Sequence, residues 1–249
     1  MTPDTIVPLR PVTGTLPLYC VHPVSGSVFP YLTLAPLLGQ EQPVYGLEAP
    51  GYEDDQPPVA LLPELSERYV EEISQHAGGQ PLCLLGWSMG GAIVQHVAAD
   101  HPQRVRRLML FDSAGLFVLP TWDTRLFTPG TPAELDQLDT LLMPHPPNVP
   151  GFVARDILRV SNHRAWIIHR ALDAMLTGQD ATDKLLPQLK MPVLIVWGAD
   201  DKITPLSLGQ TMHRMLPQSE LDVVPGCGHL APGQCAAQMA PEVVAFLKL

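Results

Sequence analysis

Apolar residues along this chain follow two patterns that take turns. Short runs, apolar nearly throughout, occur at 16–21 (LPLYCV), 43–48 (PVYGLE), 81–87 (PLCLLGW), 107–112 (RLMLFD), 191–197 (MPVLIVW) and 220–224 (ELDVV). Runs of this length and composition predict strands buried on both faces, as in a parallel sheet. Between them, apolar positions recur every three or four residues, the period of a helix with one buried face. Leu62, Leu65, Tyr69, Val70 and Ile73 share one such face; Met239, Val243, Phe246 and Leu247 share another within 234–247. A further helix is expected from about 89 to 100. It stops ahead of His101-Pro102, because proline disfavours a helical residue before it. Strand and helix in alternation imply the α/β class, with a mostly parallel sheet and helices on both of its faces.

The alternation lapses from 113 to 190. That stretch has no clear strand pattern, holds Trp122, Phe127, Phe152 and Trp166, and contains the proline-rich MPHPPNVPG at 143–151. It is too long for a plain loop inside a compact domain. It is expected to be a helical cap inserted over one end of the sheet, leaving 1–112 and 191–249 as the core.

Composition narrows the function classes. A chain of 249 residues can enclose one large core, and 46% hydrophobic against 16% charged residues marks a globular chain. A formal net charge of −10 speaks against nucleic acid and anionic membrane surfaces as partners, since both require basic patches. The opening MTPDTIVPLRP lacks the basic start and apolar core of a signal peptide, and no apolar run approaches the ~20 residues of a membrane span. A cytoplasmic protein is expected. Cys20, Cys83, Cys227 and Cys235 show neither C-x-x-C nor zinc spacing, so buried thiols of a reducing compartment are expected. No dinucleotide fingerprint, phosphate loop or metal cluster competes for the chemistry, and no cofactor is expected.

The stretch LLGWSMGGAIVQHVAAD, 84–100, carries the chemistry. Ser88 sits where a buried strand turns into a helix, between Gly86 and Gly90. A serine at so tight a junction is pushed out over the sheet edge, next to the free N–H groups of a helix start. This is the G-x-S-x-G arrangement of a nucleophilic serine. A serine hydroxyl needs a base, and the base needs an acid to hold its tautomer. In this arrangement the histidine comes last in the chain. His229, in the loop PGCGHLAPG after the last strand, fits that place; His96 and His101 lie on or just past the helix behind the serine. A developing oxyanion needs two fixed N–H donors. The backbone of Met89, just after the serine, and that of Val24, in the loop VHPVSGS after the first core strand, are the candidates. His22 in the same loop reads as structural.

These segments resemble the α/β-hydrolase superfamily over nearly the whole chain. The first half, through PLYCVHPVSGSVFPYLTLAPLL, QPVYGLEAPG, ERYVEEI and LLGWSMGG, is similar to the thioesterase domains of polyketide and nonribosomal peptide assembly lines. The second half, through RVRRLMLFDSAGL, MPVLIVWGADDKITP and VVPGCGHLAPG, resembles esterases and lipases. The resemblance implies the α/β-hydrolase fold, Ser88 as nucleophile, His229 as base, and Val24 and Met89 as oxyanion donors. The halves imply different acids. Thioesterase domains carry the aspartate after the strand that follows the nucleophile helix, which is Asp112 here. Most other members carry it one strand later, where WGADDKITP offers Asp200 and Asp201. The usual spacing of four residues ahead of a proline selects Asp201, with Pro205.

The implied activity is acyl transfer to water through an acyl-enzyme. The substrate would be an acyl thioester or ester, free or presented on coenzyme A or an acyl carrier protein. A thioesterase is the first reading and a carboxylesterase or lipase of short to medium chains the second. A catalytically silent ligand-binding protein on the same fold is the reading of another class. The acidic net charge counts against docking an acidic carrier protein, unless the basic cluster Arg104, Arg106 and Arg107 serves it.

Overall fold

The computed structural model of the chain describes residues 5–52, 61–163 and 165–248. Seven strands form one sheet: β1 (Ile6–Arg10), β2 (Leu18–Val21), β3 (Val44–Leu47), β4 (Leu82–Trp87), β5 (Val105–Phe111), β6 (Val193–Gly198) and β7 (Ser219–Val224). Their spatial order is β1-β3-β2-β4-β5-β6-β7. All neighbours run parallel except β1, which pairs antiparallel with β3 at the sheet edge. The apolar runs did not announce β1. It contains Pro8, which a strand tolerates only where its missing N–H is not needed, and its pairing depends on a partner some forty residues away.

The alternation of side chains across each strand splits the core in two. On one face Tyr19, Leu82, Leu84, Leu108, Leu110, Val193 and Ile195 pack under α1 (Leu62–Ala77) and α2 (Met89–Asp100). On the other face Cys20, Cys83, Leu85, Met109, Phe111, Leu194 and Val196 meet Met239, Val243 and Phe246 of the C-terminal helix. The strands β4 and β6 are therefore buried on both sides along their whole length, which explains their lack of charged positions, and β5 is buried throughout except at Arg106, near its start.

Between β5 and β6 the described chain contains three α-helices, α3 (Pro132–Leu142), α4 (Gly151–His163) and α5 (Ala165–Leu176). A capping box at Thr131 and Glu134 starts α3. Leu135, Ala154 and Leu158 form a small core of their own between α3 and α4. Helix α6 (Leu206–Met215) links β6 to β7, and α7 (Ala231–Gln234) and α8 (Ala236–Lys248) close the chain. Among the described residues no helix is long and apolar enough to cross a membrane.

Two of the four cysteines depart from the expected buried thiols. Cys227 and Cys235 form a disulfide, whereas Cys20 and Cys83 are buried and free. Each member of the pair sits in a different local element, the turn after β7 and the short α7–α8 junction, so their meeting is a product of the fold and not of spacing.

Backbones pack closely around the junction from β4 to α2. A Cβ at Gly86 would lie 2.2 Å from Gly90 O, and a Cβ at Gly90 would lie 2.4 Å from Val21 O and 2.6 Å from His22 O. The obstacles are backbone atoms, which cannot rotate away. Gly90→Ala should therefore destabilise the fold by about 2 kcal/mol or more. For a chain of this size that lowers Tm by roughly 4–8 °C in a thermal melt followed by circular dichroism. A melt within about 1 °C of wild type would mean that strand and helix do not approach as described.

Candidate active site

Ser88 occupies the turn itself, with φ 55 and ψ −125. Positive φ strains a residue with a Cβ, and a site of local strain is held by its surroundings. Here Ser88 N–H donates to Phe111 O at 3.1 Å, and Ser88 O accepts from Gly91 N and Ala114 N at 2.9 and 2.8 Å. The side chain is thus aimed by bonds to the neighbouring strand end and to the start of α2.

Three side chains from three strand ends then join in sequence. Ser88 Oγ lies 2.9 Å from His229 Nε2, and His229 Nδ1 lies 2.8 Å from Asp201 Oδ2. All three residues are buried, His229 almost wholly. The histidine loop is pinned by Trp87 Nε1–H, which donates to His229 O at 2.7 Å. The Asp201 carboxylate accepts from Ile203 N at 2.7 Å, Thr204 N at 3.0 Å and Thr204 Oγ1 at 2.6 Å, besides its contact with histidine. These four contacts offset the cost of burying the carboxylate. Asp200, next to it, is exposed.

Asp112 lies beside this chain of bonds without joining it. It is 0% exposed and has φ 41. Its Oδ1 accepts from Gly198 N at 2.7 Å, while Oδ2 has no hydrogen-bond partner. Burial, and then the charge of Asp201, push its carboxyl well above the usual carboxylate range.

Val24 and Met89 line one small recess together with His22, Leu65 and Arg170. No hydrogen bond within the described residues engages the N–H of Val24 or Met89. Tyr31 Oη–H donates to Val21 O at 2.8 Å and Gly26 N to Pro23 O at 2.9 Å, which fixes the loop that carries Val24. His22 is part of that scaffold. Its Nδ1 is 2.7 Å from Pro23 O and its Nε2 is 2.7 Å from the Tyr69 hydroxyl. Burial lowers its pKa to about 4, so it stays neutral at physiological pH.

A larger, mainly apolar cavity opens beside Ala114 and Thr204, walled by Leu116, Trp122, Leu172 and Met175. Trp122 is held there by its Nε1–H on Ile203 O at 3.1 Å and by packing on Phe127, 5.0 Å between ring centres. Trp166, by contrast, is 51% exposed and does not line it. No group of three His, Cys, Asp or Glu among the described residues could hold a metal ion. Two supports of the site were missed in the sequence: Trp87, hidden as the variable position before the serine, and Thr204, hidden in DKITP. Only the folded contacts give either a role.

The thioesterase domain family matches residues 16–144, just over half of the chain, and the alpha/beta hydrolase fold family matches 176–233. A pimeloyl-[acyl-carrier protein] methyl ester esterase of Neisseria meningitidis is 29% identical over 85% of this chain and 86% of its own length. A dimodular nonribosomal peptide synthase of Bacillus subtilis is 32% identical over 47% of this chain and 5% of its own length. A serine hydrolase of Cycloclasticus zankles, of known structure, superposes with a TM-score of 0.82 over 95% of this chain and 90% of its own, at 16% identity, and so shares the fold. With a family match over more than half its length, the chain belongs to the thioesterase-domain family of α/β-hydrolase-fold serine hydrolases, which cleave ester and thioester bonds.

Proposed function

We propose that this protein hydrolyses acyl thioesters or esters by double displacement, with Ser88 as nucleophile, His229 as base and Asp201 as acid. The observation that carries the reading is the continuous contact from Ser88 Oγ to His229 to Asp201, at 2.9 and 2.8 Å. His229 Nε2 takes the hydroxyl proton as Oγ attacks the acyl carbon. The carbonyl oxygen becomes an oxyanion, held by the N–H groups of Val24 and Met89. Asp201 keeps the proton of His229 on Nδ1 and stabilises the imidazolium. The imidazolium then protonates the departing thiol or alcohol, leaving an acyl-Ser88 ester. Water, deprotonated by the same histidine, releases the acid and restores Ser88.

Residues 113–190 are assigned as a cap whose apolar cavity takes the acyl chain. Support comes from Leu116, Trp122, Leu172 and Met175 around a space that abuts Ala114, itself bonded to Ser88. Pockets of this kind bind by apolar contact, with few polar groups to fix orientation. A carrier-borne acyl group is the substrate class we favour, because the Neisseria relative is an esterase of an acyl-carrier-protein ester over most of both chains. Thioester cleavage is the first reading, on the family match over 16–144. Ester cleavage is the second, favoured by the acid's place after β6 and by that same relative. A cytoplasmic location suits coenzyme A or carrier-bound substrates; the Cys227–Cys235 disulfide is the observation against it, since such bonds persist in oxidising compartments.

Purified protein tested on matched acyl-CoA and p-nitrophenyl ester series of rising chain length separates the two readings. Ser88→Ala should fold and lose on the order of 10⁴-fold or more in kcat, His229→Ala nearly as much, and the double variant little more than either. Asp201→Asn should lose about 10⁴-fold, through support of the wrong tautomer. A folded Ser88→Ala retaining about a tenth of wild-type rate would rule out the mechanism. Ligand binding with no turnover by wild type would return the protein to the silent binding class.

The cavity yields a separate expectation. Trp122→Ala and Leu172→Ala should weaken kcat/KM for the longest acyl chains about 5–30-fold, matching about 1–2 kcal/mol of lost apolar contact. The shortest ester should be nearly unaffected. An unchanged chain-length profile in both variants would place the acyl chain elsewhere.

A further inference from the structure

Two residues other than glycine have positive φ among the described residues, Ser88 and Asp112. One is the proposed nucleophile. The other has no part in the mechanism, yet the fold holds it in an unfavourable backbone conformation, fully buried, against the relay. Its environment explains what form it takes. Oδ1 is used by Gly198 N–H, and Asp112 N–H is used by Val196 O at 3.0 Å. Oδ2 has no donor, and no lysine or arginine forms an ion pair with Asp112 among the described residues. A buried carboxylate with one bare oxygen and no cation would be among the costliest groups in the molecule.

The neighbour that resolves this is Asp201. Thr204 Oγ1 sits between the two residues, 3.1 Å from Asp112 O and 2.6 Å from Asp201 Oδ2. Gly198 ties them a second time, its N–H donating to Asp112 Oδ1 at 2.7 Å and its carbonyl accepting from Asp201 N at 3.3 Å, so the buried carboxyl of Asp112 lies against the Asp201 loop. Two adjacent carboxyl groups in one dry site cannot both ionise; they share a proton. Asp201 receives three donors from its own loop and one from His229, so it is the member built to carry the charge. Asp112 receives one. The titratable groups facing Asp112 are thus Asp201, from the β6 end, and behind it His229, from the β7 end.

We infer that Asp112 is a neutral carboxylic acid whose Oδ2–H donates to the Asp201 carboxylate, making it a positioning residue that holds the acid toward His229. The inference rests on the reading of Asp201 as the acid. It also explains how one chain carries an aspartate at both positions used by its two sets of relatives: here one acid orients the other.

Asparagine mimics a protonated aspartate in shape, offering a carbonyl to Gly198 N and an N–H to Asp201. Asp112→Asn should therefore keep kcat and KM within about three-fold of wild type, whereas Asp112→Ala should lose about ten-fold or more in kcat with KM little changed. Infrared difference spectra of wild type against Asp112→Asn at neutral pH should contain a carboxylic-acid C=O stretch, lost in the variant. Stability gives a third reading. A carboxyl whose folded pKa is raised retains its proton where the unfolded chain has released it, so it costs stability progressively as pH rises above about 4. Asp112→Asn removes that cost, so its Tm should gain on wild type as pH rises above about 4. The spectrum and the melts do not depend on the catalytic reading; if they hold while Asp201→Asn stays active, that reading fails and the proton assignment stands. Absence of the band, a falling Tm difference, or a loss in Asp112→Asn as large as in Asp201→Asn would overturn the inference. Equal mild losses in Asp112→Asn and Asp112→Ala would overturn the positioning role.

Discussion

The close approach of β4 to the start of α2 is the constraint on which the rest depends. A Cβ at Gly86 would overlap the backbone at the start of α2, and a Cβ at Gly90 would overlap the backbone at the end of β2, so only glycine lets the chain reverse in so few residues beside that strand. The reversal forces Ser88 into positive φ and stands its hydroxyl at the C-terminal edge of the sheet. It also leaves Met89 N–H, at the first helical position, without an intrahelical partner. The proposed nucleophile and one of the two proposed oxyanion donors are therefore products of a single turn.

The parallel topology supplies the remaining groups. In a parallel sheet the chain leaves every strand at the same edge, so the loops after β2, β4, β5, β6 and β7 converge there. Val24, Ser88, Asp112, Asp201 and His229 each lie just past one of those strands. Their loops are tied to one another: Trp87 to the His229 carbonyl, Thr204 to the Asp112 carbonyl and Asp201, Gly198 N–H to Asp112. Such cross-ties let a buried carboxylate and imidazole hold one geometry before substrate arrives, which is what electrostatic preorganisation requires.

Much of this was legible in the chain because it rests on local rules. Six of the seven strands, β2 to β7, are short runs rich in apolar residues, α2 has a glycine-serine start and a proline-bounded end, and Ser88, His229 and Asp201 stand at spacings that restrict their chemistry. What escaped depends on partners distant in sequence. β1 becomes a strand by pairing with β3, despite Pro8. Cys227 meets Cys235 through the fold of the histidine loop. Thr204 and Trp87 act through single hydrogen bonds that no periodicity encodes. The choice between Asp112 and Asp201 was open in the sequence for a physical reason as well: neighbouring strand ends bring both carboxyls to one place, and only the count of donors around each distinguishes them.

The central claim is that the strained serine at the β4–α2 turn is the group that attacks substrate. Its most direct test is stoichiometric labelling with a fluorophosphonate, followed by mass spectrometry of the digested protein. The account predicts a single adduct, on Ser88, accumulating in proportion to the loss of turnover. An adduct on any other residue, or full labelling of Ser88 with turnover intact, would contradict it.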